Sequence, residues 1–290
     1  MASVSDMQPA SRWPLAALLL GSALLAFGPL LVRLADVSPA SSAFWRMALA
    51  APVLILIAVW QRRDGGGVPL RALPWAAGLA AGFFFAADLV SWHFGIVRTT
   101  SANATLFGNS TAFMLAGWAI LVRGDTPKRS TLQALALAGA GTALLLGNSA
   151  QVSSQHLAGD LLSLLAAAFY TGYIFTIIRM RDRLPTVTVL GMTTLVSAVM
   201  LLPVALLAPG SFWPGNWTPV LALALTSQLL GQGLMTYASG KLPAPVIGIG
   251  LLVQPMVSAA AGWVVLNEAL GPVELLGAAM VAAALVLVRR

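Results

Sequence analysis

The sequence predicts an all-α membrane protein: ten transmembrane helices, arranged as two inverted five-helix repeats with the N and C termini cytoplasmic. Three observations carry this. Of the 290 residues, 59% are hydrophobic and only 9% charged, against about 25% charged in soluble domains. A water-soluble fold of this size has too little interior for so much apolar side chain. The apolar residues fall into ten runs, each near the roughly 20 residues that a spanning helix needs. Finally, Asp88 to Gly95 recurs in degraded form as Gly233 to Gly240. At the same separation Ala116-Gly117-Trp118 recurs as Ala261-Gly262-Trp263, and Pro127 as Pro272. Two stretches in one register point to an internal duplication.

The elements follow in order. Met1 to Arg12 is short and polar. The run 14–32 is long for the core of a signal peptide and lacks a small-residue cleavage site, so it reads as an uncleaved first helix. Ser38-Pro39 precedes the second run, 40–60, and Asp64-Gly65-Gly66-Gly67 separates it from the third, 72–95. The fourth, 101–122, ends before Thr126-Pro127, and the fifth covers 131–148. The second half repeats the pattern at 158–179, 186–208, 217–239, 244–266 and 272–288. Its punctuation is Pro209-Gly210, Pro214-Gly215 and Pro243-Ala244-Pro245. Backbone polar groups cannot stay unpaired in lipid, so these runs must be helices; barrel strands are shorter and alternate. The repeats divide the chain at 1–150 and 151–290.

Lysine and arginine fix the predicted orientation. With the N-terminus inside, thirteen of the 16 basic residues fall on the cytoplasmic side. Only Arg33 and Arg98 fall outside, and Arg46 lies within the second helix. Five helices per repeat is an odd number, so the second copy enters from the opposite face. Inverted repeats characterise many secondary transporters, whose substrate site lies near the midplane between the halves. The net charge of +7 reflects these short basic clusters and not nucleic-acid binding. The chain has no cysteine, which excludes disulfides and thiolate metal sites.

Charges inside the membrane are the first candidates for a site, because each is costly unless paired or hydrated. Arg46 and Asp88 lie at similar depth on adjacent predicted helices and form a candidate intramembrane ion pair. The alternatives are a structural pair or a contact with a charged substrate group. His93 stands nearer the outer end, and Asp160 reads as a cap on the sixth helix. Gln228, Gln232 and Thr236 make a polar stripe on the eighth helix, as do Thr105 and Asn109 on the fourth. Gln254 precedes Pro255 on the ninth. Such stripes either join helices or line a cavity. Trp92, Trp118, Phe169, Tyr170, Tyr173, Tyr237 and Trp263 are candidate cavity wall, while Trp13, Trp213 and Trp217 read as interface-belt residues. Gly248, Gly250 and Pro255 are the candidate hinge. No nucleotide, metalloprotease or nucleophile-elbow motif occurs. The chain reads as a carrier and not an enzyme; a membrane enzyme acting through His93 and Asp88 is the distant alternative. An aromatic zwitterion needs an apolar wall, a few hydrogen-bonding groups and little net charge. Asp88, Trp92, His93, Asn109, Trp118, Gln228, Gln232, Tyr237, Gln254 and Trp263 can supply these. A quaternary cation is the alternative load, since it also favours aromatic walls and one acid.

Several stretches resemble the EamA-type branch of the drug/metabolite transporter superfamily. They are Phe44-Trp45-Arg46, Arg98-Thr99-Thr100-Ser101-Ala102-Asn103-Ala104, Asn267-Glu268-Ala269-Leu270-Gly271 and the run from Gly277 to Ala284. The likeness spans the chain, although the proline usual in the family's fourth helix is missing between Ser110 and Ala112. Within the branch the chain looks most like YddG-type exporters of aromatic amino acids. The resemblance implies no bound cofactor and export of small amphipathic metabolites across the inner membrane. The expected partners are a small-molecule substrate and the lipid bilayer, with no nucleic acid, and the chain is read as a monomer. Small multidrug antiporters of the superfamily carry a glutamate in their first helix; here that helix has no acid.

Overall fold

The computed structural model describes residues 12–63, 68–121, 128–147, 154–257, 260 and 271–287. Among these residues the regular elements are all helical. Five helical stretches are long and apolar enough to cross a membrane: Trp13–Leu34, Pro39–Arg63, Trp75–Ile96, Leu157–Arg181 and Thr186–Leu207. The first is interrupted into α1 (Trp13–Leu25) and α2 (Gly28–Leu34), with Pro29 in the opening turn of α2. Proline favours that position because it has no N–H to leave unpaired. α3 (Pro39–Arg63) runs through Pro52, and α4 (Trp75–Ile96) follows a short 3-10 turn.

The fourth apolar run is also broken. α5 (Ser101–Gly108) is capped by the Thr100 hydroxyl, which accepts from the Asn103 N–H, and α6 (Thr111–Leu121) resumes after Asn109 and Ser110. α7 (Arg129–Gly147), α8 (Leu157–Arg181) and α9 (Thr186–Leu207) are continuous. The eighth run is α10 (Thr218–Ala222), a π-helical stretch Leu223–Gly231, and α11 (Gln232–Ser239). α12 (Ala244–Leu251) ends in a turn at Leu252, and the chain is helical again to Val257. α13 (Pro272–Leu287) is the last helix.

Packing exchanges partners between the halves. α4 lies against α8 and α9, whereas the π stretch and α11 lie against α1, and the π stretch also against α3. α3 packs on α9, and α7 on α13. Lipid gives apolar helices little reason to associate, so close backbone approach carries much of the attraction. At Gly141 a Cβ would lie 2.7 Å from the Gly277 carbonyl oxygen, and at Gly159 one would lie 2.6 Å from the Arg98 carbonyl carbon. Neither position admits a side chain without moving backbone. The lipid-side faces carry exposed Leu56, Val199 and Leu207.

The two ends of the bundle are fastened differently. At the end where α4 finishes, an Arg33 Nη2 donates to the carbonyls of Ile96 (2.8 Å) and Thr99 (3.0 Å). The Asp160 Oδ1 there accepts from Thr99 Oγ1 at 2.6 Å and Asn103 Nδ2 at 2.9 Å. Asp160 therefore ties α8 to the α4–α5 connection and is not the cap expected of it; the N-cap position is held by His156, with no side-chain cap bond. The loop after α9 folds over the start of α3, where Trp45 Nε1 donates to the Phe212 carbonyl at 2.8 Å. Phe44, Phe212, Trp213 and Trp217 gather round the Trp45 ring. At the opposite end Arg181 donates to the Thr236 carbonyl at 3.2 Å and to the Leu184 carbonyl, joining α8, the α8–α9 turn and α11.

Candidate functional site

A cavity of about 730 Å³, counting its open mouth, lies where α3, α4, α5, α8 and α11 converge. The helix interruptions frame it. Leu25, Ala26 and Pro29 face it from the α1–α2 break, Gly108, Asn109 and Thr111 from the α5–α6 break, and Leu251 and Gln254 from the break after α12. Non-helical backbone at membrane depth is tolerated where it lines a cavity or is buried in protein, so the breaks and the cavity explain one another. Asn109 and Ser110 stand in the duplicated register of Gln254 and Pro255; the chain turns at the first pair, and in the second half it turns at Leu252, two residues before Gln254.

Local bonds hold the α5–α6 break open without proline. Asn109 Nδ2 donates to the Thr105 carbonyl at 2.8 Å, and Thr111 Oγ1 donates to the Gly108 carbonyl at 3.0 Å. The Thr105 carbonyl also accepts from the Asn109 N–H at 3.0 Å, so the Asn109 amide doubles a bond at the helix end, while Thr111 serves a carbonyl of the last turn, where intrahelical donors run out. On α11, Gln232 opens the helix directly after the π stretch, a local distortion that recurs at functional sites. Its Nε2 donates to the Tyr170 hydroxyl at 3.1 Å. Tyr170 stacks on Tyr173 (5.7 Å between centroids), and Tyr173 on Phe85 (4.4 Å). The Arg46 guanidinium Cζ stands 5.9 Å from the Phe85 ring centroid, within cation–π range.

Arg46 and Asp88 are 3% and 9% exposed and both line the cavity. They act on one another electrostatically, yet among the described residues no ion pair within 4.0 Å joins them. The structure holds the two charges in one cavity without direct contact.

The remaining sequence candidates divide. Trp92, Asn109, Gln232 and Gln254 line the cavity with Asp88. The Trp92 ring fills the space beside Gly28 and Gly108. His93 is fully buried behind the wall; its Nδ1 lies 2.8 Å from Ser42 Oγ and links α4 to α3. Gln228 is also fully buried, donating to Thr194 Oγ1 at 2.8 Å. Trp118 is 40% exposed and packs on Phe175. Tyr237 stands at the opposite end of the bundle, beside Arg181. Trp263 lies outside the described residues. Of the candidate hinge, Gly248 presses against Ala112, where a Cβ would meet the backbone at 2.9 Å, Gly250 lies against Leu18, and Pro255 follows the break. The reading of the sequence missed Phe85, Thr111 and the α1–α2 break as cavity wall. Gly28-Pro29 was the available signal for the last.

Comparison with known proteins adds the following. The profile of the EamA-like transporter family matches residues 12–147 and again residues 157–290. An uncharacterized transporter of Archaeoglobus fulgidus is 23% identical over 244 residues, 82% of this chain and 83% of that protein. The threonine/homoserine exporter RhtA of Escherichia coli is 30% identical over 151 residues; the match spans 51% of this chain and 50% of the exporter. A protein of known crystal structure shares the fold over 94% of this chain and 96% of its own, with a TM-score of 0.78 and 18% identity. At that identity the likeness speaks for the fold alone.

Proposed function

The chain belongs to the EamA-like transporter family and is a multi-pass protein of the inner membrane; from this premise we propose that it exports small amphipathic amino acids, aromatic or hydrophobic ones first, by alternating access. The observation that carries the reading is the cavity: an open-mouthed chamber with an aromatic wall, a few amides and hydroxyls, and one residue of each charge. Phe85, Trp92, Tyr170 and Leu251 offer area to an apolar side chain; Asn109, Gln232 and Gln254 offer hydrogen bonds. A second reading, polar amino acids of threonine size, is favoured by the partial likeness to the threonine/homoserine exporter. A quaternary cation is disfavoured by Arg46, whose fixed positive charge faces the same space.

Alternating access is supported by the duplication. The second family match begins at 157 where the first begins at 12, the same separation as Gly233 from Asp88. The packing of α4 on α8 and α9 is answered by that of the π stretch and α11 on α1 and α3. In this reading the halves, 1–150 and 151–290, cross the membrane ten times with both termini cytoplasmic, and the end held by Arg33 faces outward. Asn216 is exposed at that end. A cysteine placed there should react with an impermeant maleimide on intact cells; labelling that needs permeabilised cells reverses the orientation.

The function is tested by counterflow in liposomes against phenylalanine, tryptophan, threonine, nucleosides and quaternary cations. Saturable exchange of amino acids is the expected result. Exchange of quaternary cations alone overturns the assignment, and a chemically altered product without flux points to an enzyme.

A further inference from the structure

We propose that Arg46 and Asp88 form a two-point clamp for an α-amino acid zwitterion, Arg46 taking the carboxylate and Asp88 the ammonium. The inference rests on the amino-acid reading above and deepens it. Both side chains are more than nine-tenths buried and both reach the cavity. Charges so placed are normally paired or richly hydrogen-bonded. Here Arg46 Nε is buried with no hydrogen-bond partner. Among the described residues, no hydrogen bond reaches the Asp88 carboxylate and no ion pair within 4.0 Å joins it to Arg46.

The rest of the described cavity lining is neutral. The chamber therefore holds one positive and one negative group, close enough to feel one another and not in contact. A cation placed there meets Asp88 but adds a like charge beside Arg46; an anion does the reverse. Either leaves one buried charge opposed. A zwitterion answers both at once, because its ammonium and carboxylate hang from a single carbon, about 1.5 Å from each. Guanidinium offers a planar fork that matches a carboxylate, which suits Arg46 to that end. The Tyr170–Gln232 pair and the Phe85 and Trp92 rings are left to the substrate side chain.

Ligand analogues separate the two contacts. The purified full chain in nanodiscs is titrated with phenylalanine, with its methyl ester, which lacks the carboxylate charge, and with 3-phenylpropionate, which lacks the amine. Threonine, its methyl ester and 3-hydroxybutyrate form a parallel series. The wild type is expected to bind each amino acid about 10- to 100-fold more tightly than either analogue, the range for a hydrogen-bonded contact to a charged group. Arg46→Gln should lose the preference for acid over ester while keeping the preference for amine. Asp88→Asn should do the opposite, and Arg46→Lys should keep part of the carboxylate preference. Equal binding of all three ligands by the wild type overturns the clamp, as does an unchanged preference in both neutral variants. If a variant does not fold, the wild-type series decides alone. Amino acid flux without discrimination sinks only the clamp, whereas exchange of quaternary cations and of no amino acid sinks the functional reading itself.

Discussion

Oxidising the double variant Arg181→Cys/Gly240→Cys is expected to abolish exchange in liposomes, and reduction to restore it. A Cβ built on Gly240 lies 3.0 Å from the Arg181 Cβ. Disulfides hold their Cβ atoms about 3.5–4.5 Å apart, so α8 and α11 need only ease apart by a fraction of an ångström for the bond to close. The wild-type chain has no cysteine, so the new pair has no competitor. The bond staples the end of the bundle remote from Trp92, where Arg181 already joins α8 to α11. In the alternating access proposed above, that end is expected to part between α8 and α11 in each cycle, and a covalent tie forbids it. The reduced form of the same variant is the control for loss of the arginine. Full exchange by protein whose cross-link is confirmed by mass would mean that α8 and α11 do not part during the cycle, and a gate between them would be ruled out.

Asp160→Leu should destabilise the fold by about 2–4 kcal/mol, measured by denaturant unfolding of the purified protein in micelles. The wild-type carboxylate accepts from Thr99 and Asn103 at short range. Hydrogen bonds to a charged group contribute about 1.5–3 kcal/mol each, and a buried donor that loses its acceptor adds its own desolvation cost. Loss of the buried charge itself offsets part of that sum. Replacing Thr99 and Asn103 by valine and leucine in the same chain should recover much of the loss, because removing all partners together is nearly neutral. If Asp160→Leu alone stays within about 0.5 kcal/mol of wild type, the scatter of ordinary surface changes, the contact is incidental.

Run length was the most legible feature of the sequence. α3, α4, α8 and α9 fall within a few residues of the runs 40–60, 72–95, 158–179 and 186–208. The breaks were less legible. Gly28-Pro29 is hidden inside an apolar run, and proline there starts α2 without preventing helix. At Asn109-Ser110 there is no proline at all; the Asn109 and Thr111 side chains bond to carbonyls of the last turn of α5, and such side-chain bonding leaves no composition signal. The π stretch is equally silent.

Of the cavity lining, intramembrane cost singled out Arg46 and Asp88, and the duplicated register singled out Asn109 and Gln254. Facing was where the reading failed. A helix surrounded by protein and lipid is apolar on most sides, so its periodicity does not say which polar residue looks inward. Gln232 turned to the cavity, whereas Gln228 turned to Thr194. His93 likewise turned to Ser42, outside the cavity that its neighbour Trp92 lines.

The balance of one arginine and one aspartate in the cavity also bears on what drives the cycle. A membrane potential does about 2.3 kcal/mol of work per elementary charge per 100 mV. A chamber whose described lining sums to zero, filled by a zwitterion that also sums to zero, presents nothing for that voltage to push in either direction. Under the proposed clamp, with Asp88 ionised, the empty and loaded carriers are expected to reorient with equal indifference to the electrical state of the cell. For the zwitterion exporter proposed above, flux is then expected to follow the substrate's own concentration difference, and counterflow should not change when a potential is imposed across the liposome membrane.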